Sequence, residues 1–260
     1  DEIAEAHQRL MGQPDFLLHF EKSRGISPST LSTFNAGVVE RKGKMFQQIP
    51  YYRKGQVSYV KLKRSWEDAK GKRHKMIVRE PKGSTTQVFN IDACVGNKRV
   101  LVCEGEEDCM VFTQNGMRNV VSIPDGAQPR FDSTRKWLDD LERFKEIVIC
   151  LDNDETGRLG SLALAKALGE KRCRIVEYPA AKSEKTGEAL TDACDYAREG
   201  KLTELLRSIQ GAATEDHPLV DHVASEAALE ELRRDHEGGA PHGYTTGWKC
   251  FDKLIGGIRT

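Results

Sequence analysis

Arg99-Val100-Leu101-Val102-Cys103-Glu104-Gly105-Glu106, together with Ile147-Val148-Ile149-Cys150-Leu151-Asp152-Asn153-Asp154-Glu155-Thr156-Gly157, decides the fold. Each stretch is a short apolar run, rich in β-branched residues, that ends in carboxylates. Such a run reads as a strand covered on both faces, as in a parallel sheet flanked by helices. Residues 106–115 and 155–168 follow with apolar positions at helical spacing, and Gly116 and Gly169 stand where each helix would stop. These are two βα units of an α/β fold. Ligands of open α/β sheets sit outside the carboxyl ends of the strands, so Glu104, Asp152 and Asp154 are expected to converge on one crevice. Three carboxylates gathered there repel one another and need cations. Hard oxygen ligands suit magnesium or manganese, and magnesium keeps some waters and shares substrate phosphates.

Working outward, strands are expected near 99–103, 118–123, 146–151 and 173–177, with helices between them. Upstream, Pro14 to Arg24 reads as a helix closed by Gly25, and Ser27 as the N-cap of a second helix with Pro28 in its first turn. From Ala36 to Val78 short alternating runs are broken by Lys42-Gly43-Lys44, Lys54-Gly55-Gln56 and Lys70-Gly71-Lys72, the marks of hairpin turns in a small antiparallel sheet. A loop around Pro81 to Thr86 separates it from the α/β core. The expected organisation is a basic α+β subdomain over 1–95, the parallel-sheet domain over 96–212, and a linker over 213–260 that starts with a helix from about Pro218 to Arg234. Glu237-Gly238-Gly239-Ala240-Pro241 has the composition of a tether.

The 260 residues are 38% hydrophobic and carry no net charge, enough apolar content for one large domain or two small ones. No apolar stretch approaches the ~18 residues of a membrane helix, and no signal-peptide pattern opens the chain. With Asp1 at its start and Ile258-Arg259-Thr260 at its end, the chain reads as a piece of a longer protein. None of its seven cysteines forms a Cys-x-x-Cys pair, which argues against a zinc ribbon and a disulfide framework and for a reducing compartment. Between residues 41 and 82 there are fourteen bases against three acids, interleaved with Phe46, Tyr51, Tyr52, Tyr59 and Trp66. That is the footprint of nucleic-acid or nucleotide contact, although a solvated basic face around a small β core has the same composition. From Ser183 to Glu237 the balance turns acidic.

Taken alone, Glu104-Gly105 is a weak signal, and Asp152-x-Asp154 also fits a solvated loop or a helix cap. Thr191-Asp192-Ala193-Cys194-Asp195 opens a helix, where an N-cap and first-turn acids suffice to explain it. Together, in this order and on neighbouring strand ends, the acids resemble the TOPRIM domain shared by primases, topoisomerases and some nucleases. The signature is Glu104-Gly105-Glu106-x-Asp108 with Asp152-x-Asp154-x-x-Gly157. Within that family the chain is most similar to the primase half of phage primase-helicases and their mitochondrial relative Twinkle. Lys22-Ser23-Arg24-Gly25-Ile26-Ser27, Val121-Ser122-Ile123-Pro124-Asp125-Gly126-Ala127 and the helix opening at Asp192 carry that likeness. At the far end, Gly247-Trp248-x-x-Phe251-Asp252-x-Leu254-x-Gly256-Gly257 resembles the stretch before the helicase domain. Two departures stand out: Thr191 and Cys194 replace the outer residues of a Lys-Asp-Ala-Asn motif, and no phosphate loop of helicase type occurs, so the motor is not in this chain.

The resemblance implies synthesis of short RNA primers on single-stranded DNA by nucleotidyl transfer. Glu104, Asp152 and Asp154, with Asp192, would hold magnesium or manganese; Lys61, Lys63, Arg64, Lys75, Arg79 and Lys82 would grip nucleoside triphosphate and template; Gly105, Asp108, Gly126 and Gly157 would support them. It further implies a C-terminal helicase domain in cis, a ring hexamer, no membrane, and a mitochondrial matrix or nucleoid location, or else the cytoplasm of a phage-infected bacterium. Competing readings are a catalytically silent region that binds DNA and shapes a Twinkle-like ring, a TOPRIM nuclease or topoisomerase, and a magnesium-dependent nucleotide-binding domain of other reaction. Nothing in the chain suggests the strand-cutting tyrosine domain of a topoisomerase.

Overall fold

The structure, a computed structural model, describes residues 2–131 and 135–212. Helix α1 (Glu2–Met11) buries Ala6 and Leu10, one turn apart on one face. Helix α2 (Pro14–Arg24) starts on a proline, which needs no hydrogen-bonded N–H there, and ends at Gly25 in the left-handed region at φ 66°. Helix α3 (Pro28–Thr33) is capped by Ser27, whose Oγ accepts the Thr30 N–H at 3.3 Å.

Strands β1 (Gly37–Arg41), β2 (Lys44–Arg53), β3 (Gln56–Glu67) and β4 (Arg73–Glu80) form an antiparallel sheet in that order. Lys42-Gly43 and Lys54-Gly55 are two-residue loops with positive φ at both positions, the geometry whose twist matches that of the paired strands. Register then sorts the basic residues by face. Lys61 pairs with Arg79, Lys63 with Ile77 and Ser65 with Lys75, so these share one face of the sheet, while Leu62, Arg64 and Trp66 lie on the other.

The second sheet is parallel: β5 (Arg99–Cys103), β6 (Val120–Ser122), β7 (Glu146–Cys150) and β8 (Cys173–Ile175), in the order β6-β5-β7-β8. Helices α4 (Glu106–Gln114), α5 (Asp139–Glu142), α6 (Glu155–Leu168), α7 (Ala193–Arg198) and α8 (Leu202–Ala212) cover it. Alternation of the β5 and β7 side chains builds two cores. Leu101, Cys103, Val148 and Cys150 pack with α4, α7 and α8 through Phe112, Tyr196, Leu205 and Ile209. Val100, Val102, Ile147 and Ile149 pack on the opposite face with Trp137, Leu141 and Leu164. The mixed α/β architecture, a parallel sheet flanked by helices behind an antiparallel sheet, is the one read from the sequence.

Both sheets belong to one compact unit, and Ile49, Tyr51 and Tyr59 of the antiparallel sheet join the same core as Leu101 and Phe112. Among the described residues no helix is long and apolar enough to cross a membrane. The helix expected over 218–234, the tether and the helicase-like stretch lie outside the described residues.

Candidate active site

From β5 the chain passes to β6 on one side and then returns to β7 on the other, so the topological switch point lies between β5 and β7. Glu104 and Asp152 follow the carboxyl ends of these two strands, where Cys103 pairs with Cys150. Both line one cavity of about 490 Å³, and the Asp152 N–H donates to Glu104 Oε2 at 3.3 Å. Gly126, after β6, closes against the pair: a Cβ there would stand 3.4 Å from Glu104 Oε1, and its φ of 73° is glycine's territory. Gly157 is required by space rather than by φ, because a Cβ would sit 1.9 Å from the Asp152 carbonyl oxygen. It lets the first turn of α6 press on the Asp152 backbone.

Asp108 and Asp192 reach the same cavity from α4 and from the start of α7. Asp192 is brought in by its neighbours: the Asn153 N–H donates to the Thr191 carbonyl at 2.7 Å, tying the loop after β7 to the N-terminus of α7. Its Oδ1 accepts the Asp195 N–H at 2.6 Å. Burial, followed by the charges of Asp108, Glu104, Asp192 and Asp154, pushes the Asp152 carboxyl up to about 9. Burial likewise raises Asp108, to about 7, with Asp192 and Glu107 adding repulsion, and it raises Asp192. Asp154 stands at the edge of this group. Its Oδ1 accepts the Gly157 N–H at 2.6 Å as the N-cap of α6, and it does not line the cavity.

The facing wall is the basic face of β3 and β4, with Lys61, Lys63, Lys75 and Arg79 lining the cavity. Two of these cations are engaged by Glu106, only 2% exposed on α4. Lys61 Nζ lies 2.5 Å from Glu106 Oε1 and donates to the Pro124 carbonyl at 2.7 Å; Lys63 Nζ lies 3.3 Å from Oε2 and 3.5 Å from Glu107. The Tyr51 hydroxyl also donates to Glu106 Oε1 at 2.5 Å. Burial opposes ionisation of Glu106, but the two ammonium groups and these hydrogen bonds outweigh it and hold the carboxyl at about 2. Arg79 pairs with Asp125 at 2.9 Å and Arg24 with Glu107 at 3.2 Å. Lys75, exposed on β4 at the cavity rim, has no ion pair among the described residues; partial burial against the wall and then the Lys63 charge lower its pKa.

Of the residues singled out from sequence, Glu104, Gly105, Asp108, Gly126, Asp152, Asp192, Lys61, Lys63, Lys75 and Arg79 line this cavity. Arg64 does not: it lies on the far face of β3, its guanidinium 4.7 Å from the Trp66 ring centre. Lys82 follows β4 outside the cavity lining. Glu106, Glu107 and Arg24 are polar residues of the site to which sequence reasoning assigned no role. The donor set fits divalent cations. Three carboxylates hold raised pKa values, and Asp108 Oδ1 is buried without a hydrogen bond of normal geometry.

Residues 101–196 match the family model described as Toprim-like. The chain is 29% identical over 183 residues to the chloroplastic/mitochondrial Twinkle homolog protein of Arabidopsis thaliana, an alignment covering 64% of this chain and 25% of that one. It therefore spans about a quarter of that relative's length. It is similar in fold to the primase fragment of the bacteriophage T7 primase-helicase, with TM-score 0.52 and 22% identity over 71% of this chain and 70% of that one. It is also similar to the zinc-binding and RNA polymerase domains of the Aquifex aeolicus primase, with TM-score 0.60 and 17% identity over 92% of this chain and 64% of that one. The strand order, the carboxylates at the switch point and these matches agree: residues 101–196 match the Toprim-like model, and the fold is similar to that of the two primase structures.

Proposed function

We propose that this chain is the primase part of a replicative primase-helicase and makes short RNA primers on single-stranded DNA by nucleotidyl transfer. The observation that carries the reading is the meeting of Glu104 and Asp152 at the switch point, across one cavity from a wall of lysine and arginine. Glu104, Asp152 and Asp192 would hold magnesium or manganese, hard cations suited to oxygen donors, and Asp154, at the edge, would add only the carboxylate oxygen that the α6 cap leaves free. When bound, such ions neutralise the triphosphate and lower the pKa of the attacking 3′-hydroxyl as pyrophosphate leaves.

The remaining work falls to the chain's own side chains. Lys75 brings a positive charge that no carboxylate of the site consumes, so it meets the phosphates. Glu106 fixes Lys61 and Lys63 in place, and Lys61 in turn holds the Pro124 carbonyl of the loop that carries Gly126. Gly105 and Gly126 keep the cavity floor free of side chains where the nucleotide approaches. Arg64 and Lys82, outside the cavity, are left for the template backbone. A helicase domain in cis, a ring hexamer and an organellar location are proposed with this reading, the last from the chloroplastic/mitochondrial relative.

The test is primer synthesis with labelled nucleotides, single-stranded DNA and magnesium, using a preparation that retains the helicase domain. Product is expected from the wild type and from neither Asp152→Ala nor Glu104→Gln, both folded. A second reading is a catalytically silent domain that binds single-stranded DNA and supports the ring; Thr191 and Cys194, in place of the outer residues of the Lys-Asp-Ala-Asn motif, weaken the third acidic site, but the intact Glu104, Asp152 and Asp154 argue against this reading. A preparation that binds DNA and unwinds it but makes no primer supports that second reading instead.

A further inference from the structure

We propose that Asp108, Asp192 and Cys194 form a site for a borderline divalent cation of the zinc or cobalt(II) type, beside the oxygen-lined position expected of magnesium. One ligand atom from each of the three lies within 4.8 Å of the others, so a single ion can reach all of them. Asp108 is 7% exposed and Cys194 2% exposed, so the thiol and the carboxylate are withheld from bulk water.

The orphaned oxygen of Asp108 points to a ligand independently of that clustering. Its Oδ2 accepts the Gly105 N–H at 3.2 Å, whereas Oδ1 is buried without a hydrogen bond of normal geometry, with the Cys194 N–H and thiol facing the carboxylate. An unpaired buried carboxylate oxygen is costly, and a bound cation removes that cost. Arg24 has its ion pair with Glu107 at 3.2 Å, so its charge reaches the cluster without completing it.

Sulfur decides which ion is taken. A thiolate prefers zinc, cobalt(II) or cadmium to magnesium, and two carboxylates plus one sulfur leave a fourth tetrahedral position for water or substrate. A metal takes cysteine as the thiolate, so the incoming ion must displace the thiol proton. Magnesium, which bonds sulfur weakly, does not. The assignment needs only these three ligands and stands apart from the primase reading, although Asp192 is common to both ligand groups.

The test uses the full 260-residue chain, reduced and stripped of metal, titrated with cobalt(II) chloride in excess magnesium and read for the thiolate-to-cobalt charge-transfer absorption. The band is expected to saturate at one equivalent and to vanish in Cys194→Ser. In Asp108→Asn the cobalt affinity is expected to fall by about tenfold or more, the usual effect of losing a group that binds or orients a metal. No band in the wild type, or a band that survives Cys194→Ser, overturns the proposal. If Cys194→Ser does not melt cooperatively, Asp108→Asn decides alone, and unchanged cobalt affinity there overturns it as well. Magnesium-dependent primer synthesis, run in parallel, reports only on the primase reading, so the two can fail separately.

Discussion

Glu106 offers a sharp test of how the site is built, because its carboxyl joins α4 to the antiparallel sheet at the cavity wall. Lys61 lies 2.5 Å from one oxygen and Lys63 3.3 Å from the other, all three nearly buried. A carboxyl held from an ordinary 4.5 down to about 2 gains about 3 kcal/mol from its surroundings, at roughly 1.4 kcal/mol per pH unit. Breaking a buried pair by removing one partner costs about 3–5 kcal/mol, since the other charge is left behind. Glu106→Gln should therefore lose about 3–5 kcal/mol, or roughly 10 °C in melting temperature for a domain of this size. Because the folded pKa is depressed, this stability is present above 4.5 and is lost as pH falls through about 2. The difference between wild type and Glu106→Gln should shrink across that window in urea melts. Replacing Glu106 and its shorter-range partner together, as in Glu106→Leu with Lys61→Met, should recover part of the loss, because the Lys61 ammonium is no longer stranded and Lys63 keeps its pair with Glu107 at 3.5 Å. A Glu106→Gln cost below about 1 kcal/mol at neutral pH would refute the electrostatic reasoning, since that is the range of an exposed pair.

The carboxylates of the cavity respond in the opposite sense. Asp152 has a folded pKa raised above its ordinary 3.8 to about 9, so its favourable protonated state is fully present below 3.8 and is lost as pH rises through 9. Asp152→Asn should accordingly stabilise the metal-free protein against unfolding at about pH 8, by about 2 kcal/mol after relaxation of the neighbours, and leave its stability unchanged at about pH 4. A drop in both conditions contradicts the repulsion. Gly157→Ala should destabilise by about 3 kcal/mol or more, because its new methyl would meet the Asp152 carbonyl oxygen at 1.9 Å and neither backbone can yield cheaply; a cooperative melt at the wild-type temperature contradicts it. Lys75→Glu should weaken nucleoside triphosphate binding several-fold and flatten its salt dependence, while Arg64→Ala leaves nucleotide binding intact, as measured by fluorescent-nucleotide titration. Equal effects of the two substitutions would remove Lys75 from the phosphate position.

Much of this was legible in the sequence because it is local. The β5 and β7 runs, the hairpin glycines after Lys42 and Lys54, Gly25 at the end of α2 and the Ser27 cap are each set by a few adjacent residues. The convergence of Glu104 and Asp152 followed from a topological rule rather than from spacing. Other features depend on contacts between distant residues. Lys61 and Glu106 are 45 positions apart, and nothing around either shows that their charges cancel instead of facing a substrate. Asp154 looks equivalent to Asp152 in a row of acids, yet the turn into α6 gives one oxygen to the helix cap. Arg64 is different, for the signal was there: in a strand, neighbours point to opposite faces, so Lys63 and Arg64, grouped together from the sequence, cannot line the same wall. Helix α1, with Ala6 and Leu10 at i, i+4 spacing, was equally readable. Cys194 stood out as a departure from a motif, but its proximity to Asp108 belongs to the tertiary structure alone.

The most direct measurement is magnesium binding by isothermal titration calorimetry, in two buffers of different ionisation enthalpy, to the wild type, Glu104→Gln and Asp152→Asn. If the carboxylates beside β5 and β7 gather to hold a divalent ion, the wild type binds magnesium with release of protons, and both variants lose that binding while keeping their fold. Binding of equal strength in all three proteins, or none in the wild type, would contradict it.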